Sequence, residues 1–372
     1  MNRETYLISI ITLILIGCGL ISIYSTTAIF AEQSMGDPFF FFRRQLLWVV
    51  VGSLALFAAM RIKYDLLRKI NKPLLVLGVF LLVLVLFPQF GREAGGARRW
   101  LLLGGFSFQP VEIVKLFLIV YLARYLADKQ KCLGKLHGFL PPVLVIMLVG
   151  GLVIFQPNLG TALLLVMVSF IMLFVGGVKI SYLVGTAISF IPVLYFLVFD
   201  IAFRRRRILA FLDPWSDPSG VGYQIIQSLL ALGSGGLWGV GLGRSQQKLF
   251  FLPASHTDFI FSIIGEEIGL IGTGAIMVLF ILFIWIGIKI AWSAPDLFGY
   301  LLSIGITMII GLQAAINIGV ATGSLPTMGI SLPFISFGGS SLVTTMAGVG
   351  LLLNVSRSST SAQNQKLKIK TC

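Results

Sequence analysis

The sequence predicts an all-α integral membrane protein of about ten transmembrane helices, with a long extracytoplasmic loop between helices 7 and 8. Three observations carry this expectation. Of 372 residues, 57% are hydrophobic and only 11% charged, about half the charged fraction of a soluble domain. Apolar runs near the ~20 residues that a helix needs to cross a bilayer recur along nearly the whole chain. Between the seventh and eighth of them, residues 200–262 form an arginine- and glycine-rich stretch too long for a plain connector.

The runs lie at about 7–29, 46–60, 73–87, 110–126, 140–155, 159–177, 181–199, 263–290, 298–321 and 340–355. The first follows Arg3 and could pass for a signal peptide, but it exceeds a signal core and nine more runs follow, so an uncleaved first helix is expected. With the N-terminus inside, the internal loops collect Arg61, Lys63, Arg68, Lys69 and Lys72, then Arg124, Lys129, Lys131 and Lys135, then the tail lysines. Residues 1–372 are thus read as a single polytopic membrane domain, with 356–372 as a cytoplasmic tail and both termini cytoplasmic. The net charge of +14 is read as topology and contact with anionic membrane lipids, not nucleic acid. Cys18, Cys132 and Cys372 have no disulfide or metal spacing, and Cys372 is not placed for prenylation.

That orientation puts the unusual sequence outside, in 30–45, 88–109, 156–158, 200–262 and 322–339. The long loop opens on Arg204, Arg205, Arg206 and Arg207, passes through a glycine-rich run ending near Arg244 and Lys248, and closes on His256, Thr257 and Asp258. Its Trp215, Tyr223, Ile225, Ile226, Leu229, Leu230, Leu232, Trp238, Leu249 and Phe250 give it material to pack, and 221–233 is expected as an amphipathic or re-entrant helix. Outer arginines oppose the usual topological bias, so Arg204 to Arg207 are either headgroup anchors or a clamp for phosphate or pyrophosphate; Arg98 and Arg99 repeat the pattern one outer loop earlier. The glycine-rich run lacks the Gly-Lys-Ser/Thr of a nucleotide loop.

Glu112 and Lys115 stand three residues apart, on one face of the fourth span. Charges at that depth face a cavity or one another, and both readings stay open. The break "FQPNLGT" at Asn158 and the turn "SLPTMGISLPFISFGGSS", with Ser336, Gly338, Gly339 and Ser340, put irregular backbone on the same outer side, as the walls of a wet cavity require. Asp258 is either a helix cap for the eighth span or a partly desolvated base. Glu266 and Glu267 are read as first-turn stabilisers or cavity packing, and His256 as a surface histidine, an orienter of Asp258 or a contact to pyrophosphate.

The segments "GARRWL", "QPVEIVKL", "QPNLGTALLL", "GYQIIQSLLALGSGGLWGVGLGRSQQKLFFLPASHTDFIFSIIGEEIG" and "LPTMGISLPFISFGGSSL" resemble, in order, the motifs of the SEDS family of shape, elongation, division and sporulation proteins. The likeness runs over about 95–355 and is greatest to the division branch and its sporulation relatives. It implies a peptidoglycan glycosyltransferase that polymerises lipid II, a disaccharide-pentapeptide on undecaprenyl pyrophosphate, at the outer face of the bacterial cytoplasmic membrane. It also implies a class B penicillin-binding protein as partner, with other division proteins at the septum. The family's essential aspartate falls on Asp258, and its intramembrane Glu and Lys on Glu112 and Lys115. Where the family usually carries aspartate, this chain has Asn158, so ionisation there is dispensable if the chain is active.

Making a β-1,4 glycan from an α-linked lipid pyrophosphate inverts the anomeric centre, so one displacement and one base suffice. Pyrophosphate leaves as a stable anion and needs charge neutralisation, by arginine, lysine or a divalent cation; no organic cofactor is expected. Two rival readings are a lipid II flippase, for which no internal repeat speaks, and a non-catalytic scaffold that recruits the crosslinking synthase.

Overall fold

The computed structural model describes residues 3–94, 96–103, 106–249, 251–253 and 255–370; Phe250 and Cys372 lie outside them. The chain runs through α1 (Arg3–Met35), α2 (Phe40–Arg61), α3 (Tyr64–Lys69), α4 (Asn71–Leu86), the strands β1 (Gly91–Ala94), β2 (Ala97–Leu103) and β3 (Phe106–Phe108), then α5 (Pro110–Asp128) and α6 (Leu136–Phe155). It continues through α7 (Leu159–Val175), α8 (Ile180–Phe199), α9 (Ala202–Leu212), α10 (Tyr223–Gly235), α11 (Ile260–Trp292), α12 (Leu297–Ala321) and α13 (Gly339–Lys370). Each apolar run falls on a helix. Among the described residues, seven helices (α1, α2, α6, α8, α11, α12 and α13) are long and apolar enough to cross a membrane, while α4 and α7 are shorter and apolar. The fourth run lies on α5, which carries Glu112, Lys115 and Arg124.

The centre of the bundle is α12, which packs against α5, α7, α11 and α13. Without a hydrophobic force between helices in lipid, close approach of small residues supplies the packing. At Gly305 a Cβ would come within 2.5 Å of Ile119 on α5 and 2.8 Å of the Met172 sulfur on α7. By contrast few residues of α2 and α8 are buried, as expected of helices at the edge of a bundle. At the end of the bundle opposite the sheet, Asp296 caps α12 by accepting from Gly299 N–H at 2.9 Å and Tyr64 O–H at 2.6 Å, and it pairs with Arg68.

The all-α expectation is met, with one small addition in the segment 91–108 between the third and fourth runs. There, charged and apolar residues punctuated by Gly-Gly pairs form an antiparallel sheet in the order β1-β2-β3. The helical expectation for the outer loop at 221–233 is met by α10, whose buried face is Ile225, Ile226, Ser228, Ala231 and Gly235. Ser228 keys it in place, its hydroxyl lying 2.5 Å from that of Ser262 on α11 and donating to the Ala321 carbonyl at 2.7 Å.

A break in α11 ties the long loop to the bundle. Gly269 takes φ 66° and ψ −167°, which releases backbone groups on both sides of it. The loop after α10 takes them up. Val240 and Gly241 N–H donate to the Glu266 and Glu267 carbonyls (2.9 and 3.0 Å), while Leu270 and Ile271 N–H donate to those of Gly236 and Leu237 (2.9 and 3.3 Å). The two glutamates complete the join. The Glu266 carboxylate accepts from Ser245 O–H and from Gln246 N–H at 2.9 Å. Glu267 accepts from Ser25 of α1 at 2.6 Å and pairs with Lys248 at 2.9 Å, both charged side chains being 3% exposed.

A buried pair is costly to break on one side only. Lys248→Met should therefore destabilise the protein by about 3–5 kcal/mol, and Lys248→Met with Glu267→Met should recover most of that loss. Thermal unfolding in detergent, single against double variant, checks this.

Candidate active site

Irregular backbone at the end of the bundle that carries the sheet lines a cavity of about 240 Å³. Its walls are Arg99 and Trp100 of β2, Gln109, Glu112 and Lys115 at the start of α5, Thr161 and Leu164 of α7, and Thr257 and Asp258. Gln313 of α12, Gly329 to Ser331, Phe337, Gly338, Ser340 and Ser341 complete them. Four helices, α5, α7, α11 and α13, begin at this cavity, so the positive ends of their dipoles converge on it. Its volume is below the roughly 300 Å³ at which small-molecule sites begin, so it would enclose the reacting end of a large substrate and not the whole.

Asp258 sits two residues ahead of α11 in a segment whose carbonyls are held one by one. Phe337 N–H donates to the His256 carbonyl at 3.0 Å, Ser336 O–H to that of Thr257 at 2.6 Å, and the Asn317 amide to that of Asp258 at 2.8 Å. Such pairing is obligatory for buried non-helical backbone. It fixes the main chain, so the carboxylate can point into the cavity. Gly329, at φ 68°, lies beside it; a Cβ there would stand 3.8 Å from Oδ2. Burial pushes the Asp258 carboxyl above its ordinary range, and the Arg207 and Arg99 guanidinium charges pull partly against that shift.

The four arginines of α9 have separate fates. Arg207 turns inward, stacks on Phe203 at 4.4 Å and donates to the Thr327 carbonyl at 3.3 Å. Arg204 donates to the Leu197 carbonyl at 2.9 Å, while Arg205 and Arg206 are exposed. Arg98 and Arg99 are likewise divided. The register pairs Arg92 with Trp100 and Glu93 with Arg98, which leaves Arg99 as the extra residue of a β-bulge. Arg98 faces Glu93 at 3.4 Å near the surface. Arg99 reaches the break between α6 and α7, donating to the carbonyls of Gln156 (3.0 Å) and Pro157. Burial, then the nearby Arg207 charge, lowers its pKa, with Asp258 acting in the opposite sense.

Glu112 and Lys115 pair at 2.8 Å on the cavity wall, with side chains 9% and 6% exposed, so the ion pair and the cavity lining are one arrangement. Several sequence candidates stand apart from the cavity. Lys248 is engaged with Glu267, and Arg244 is exposed on the loop. His256 is boxed by Phe30, Phe41 and Phe337, and burial lowers its pKa. Asn158 is buried as the N-cap of α7, its Oδ1 accepting from Thr161 N–H at 3.4 Å, a task that needs no charge. Ser336 acts on the backbone of Thr257, and Gly339 leaves room for the Trp48 ring.

Sequence reasoning missed Gln313 and Asn317. The Gln313 Oε1 accepts from Lys115 at 2.9 Å and its Nε2 donates to the Ser331 carbonyl at 3.0 Å. Asn317 donates to Ile330 and Asp258 together, both at 2.8 Å. Two amides one turn apart in an otherwise apolar span were the available signal. Among the described residues, no three His, Cys, Asp or Glu side chains gather as a metal site.

Residues 5–361 match the family model described as cell cycle protein, covering FtsW, RodA and SpoVE. Stage V sporulation protein E of Bacillus subtilis is 46% identical over 352 residues, covering 94% of this chain and 96% of its own. The probable peptidoglycan glycosyltransferase FtsW of Geobacter sp. is 45% identical over 91% of this chain and 92% of its own. A chain from a peptidoglycan synthase complex that coordinates polymerization and crosslinking superposes with a TM-score of 0.78 at 32% identity, covering 94% of this chain and 96% of that one. The rod shape determining protein RodA of Thermus thermophilus does so with 0.70 at 30% identity, covering 94% and 95%.

A carboxyl whose folded pKa is raised loses stability as pH climbs through its titration, because the folded state then holds a desolvated anion. Asp258→Asn should therefore melt at a higher temperature than wild type at neutral pH, and the gap should close as pH falls below the ordinary carboxylate range. Arg207→Gln, which removes a charge that lowers this pKa, should be less stable than wild type at neutral pH. Melting curves against pH check both signs.

Proposed function

The chain belongs to the FtsW, RodA and SpoVE family of cell cycle proteins, and we propose that it is a peptidoglycan glycosyltransferase. It polymerises lipid II at the outer face of the cytoplasmic membrane, with Asp258 as general base. The supporting observation is the desolvated Asp258 carboxylate in a cavity onto which Arg99, the Glu112–Lys115 pair and four helix N-termini converge, with Arg207 close enough to lower the carboxyl's pKa.

The acceptor's 4-hydroxyl attacks C1 of the donor sugar while its proton passes to an Asp258 oxygen. The bond from C1 to the pyrophosphate oxygen breaks, and its electron pair leaves with undecaprenyl pyrophosphate. Arg99, Arg207 and the helix dipoles stabilise the growing negative charge, the role of preorganised donors in charge-separating steps. A raised pKa suits the base, since a more basic carboxylate takes the proton more readily. Attack opposite the leaving group inverts the α-linked donor to a β-1,4 product. This reading places both termini in the cytoplasm and all ten apolar runs across the membrane. It also pairs the chain, as the motif resemblance implies, with a class B penicillin-binding protein, in keeping with its likeness to a chain of a complex that coordinates polymerization and crosslinking.

The testing experiment is lipid II polymerisation by the purified chain, with and without such a partner. Asp258→Asn at matched folded yield should lose ~10²- to 10⁴-fold in turnover. Retained polymerisation in that variant contradicts the base assignment. Transfer of labelled lipid II across vesicles without polymerisation, even with the partner, contradicts the enzyme reading and favours a flippase.

The arginines should separate by position. Arg207→Gln lowers turnover, whereas Arg205→Gln and Arg206→Gln change it by no more than about 2-fold, as expected of exposed charges. Steady-state rates of the single variants check this ordering.

A further inference from the structure

Asn317 and Gln313 lie on one face of α12, one helical turn apart, and contact the same short stretch of chain. Gln313 donates to the carbonyl of Ser331 and Asn317 to that of Ile330. Beyond that shared anchor their contacts diverge. Gln313 accepts from the Lys115 ammonium, and Asn317 donates to the Asp258 main-chain carbonyl. Gly329, next along the anchor, approaches the Asp258 carboxylate itself.

We propose that Gln313 and Asn317 are positioning residues, which hold the Lys115 ammonium and the Asp258 main chain in fixed relation by fastening both to Ile330 and Ser331. The inference rests on Asp258 being the base. Asn317 is 1% exposed, and its Oδ1 is buried without a hydrogen-bond partner. An amide that leaves its oxygen unsatisfied there is held for its two N–H donors. Both carbonyls it serves belong to non-helical backbone, where no ladder would supply a donor instead. Gln313 is 3% exposed and uses both ends of its amide, acceptor to the cation and donor to the carbonyl. One helix face thus sets the distance between the cation and the base, in a reaction where a 1 Å misplacement can cost on the order of 100-fold.

The test compares wild type, Asn317→Ala and Asp258→Asn in lipid II polymerisation, each rate divided by its folded fraction. For Asn317→Ala the expected result is a kcat lower by roughly 10- to 100-fold, with KM for lipid II within about 2-fold. The acid limb of its pH–rate profile should also move, because an aspartate no longer held by the Asn317 clamp changes its distance to Arg99 and Arg207, whose charges lower its pKa. Arg99→Gln should then shift the limb of wild type and that of Asn317→Ala by different amounts, a coupling that a merely structural role would not produce. Should Asn317→Ala fail to fold, Asn317→Ser keeps one donor and should show the same changes in smaller measure. A lowered melting temperature with unchanged kcat per folded molecule and an unmoved acid limb overturns the proposal. If Asp258→Asn stays active, the base assignment fails instead, and the two failures are told apart by which variant loses rate.

Discussion

Backbone that leaves helical geometry at the depth of a membrane must find its hydrogen-bond partners within the protein, because lipid offers none. Here the irregular segments largely satisfy one another. The Gly269 break in α11 is closed by 236–241, the carbonyls of 256–258 by Phe337, Ser336 and Asn317, and the break between α6 and α7 by Arg99. Each join crosses between elements far apart in sequence, so together they tie the sheet, the long loop and the turn before α13 into one rigid end. The cavity is what these segments leave between them.

Topology accounts for the field inside that cavity. If the chain crosses with each of its ten runs and starts inside, every even-numbered span begins on the outer side; α5, α7, α11 and α13 do begin at the cavity. Their dipoles make it a natural place for phosphate before any arginine is counted. The Asp258 carboxylate experiences two opposing influences there: burial raises its pKa, and Arg207 and Arg99 lower it. The net direction is upward, which makes the carboxylate, once ionised, a stronger base than a solvated one, as the proposed mechanism requires.

Hydropathy made the helices legible, because each apolar run must hydrogen-bond internally wherever it lies in lipid. The sheet was not legible. Its three strands are short, and their pairing depends on a bulge at Arg99 that composition does not announce. Among the candidates, Asp258, Glu112, Lys115 and Arg99 do meet in one cavity, since motif likeness carried spatial information that spacing lacks. Lys248 and Arg244 do not, because charge near a motif says nothing about which partner a side chain finds. Lys248 found Glu267 and Ser25, contacts of long sequence separation. Gln313 and Asn317 went unnoticed because neutral amides in an apolar helix are conspicuous only once the carbonyls they serve are known.

In the proposed mechanism Asp258 removes a proton and never bonds to sugar. The direct measurement is mass spectrometry of acid-quenched protein after incubation with a lipid II donor and an acceptor whose 4-hydroxyl is blocked. No glycosyl adduct on the chain is predicted, with adduct-free protein at every time point. A glycan ester accumulating on Asp258 would contradict the account, since it would make the carboxylate a nucleophile in a double displacement.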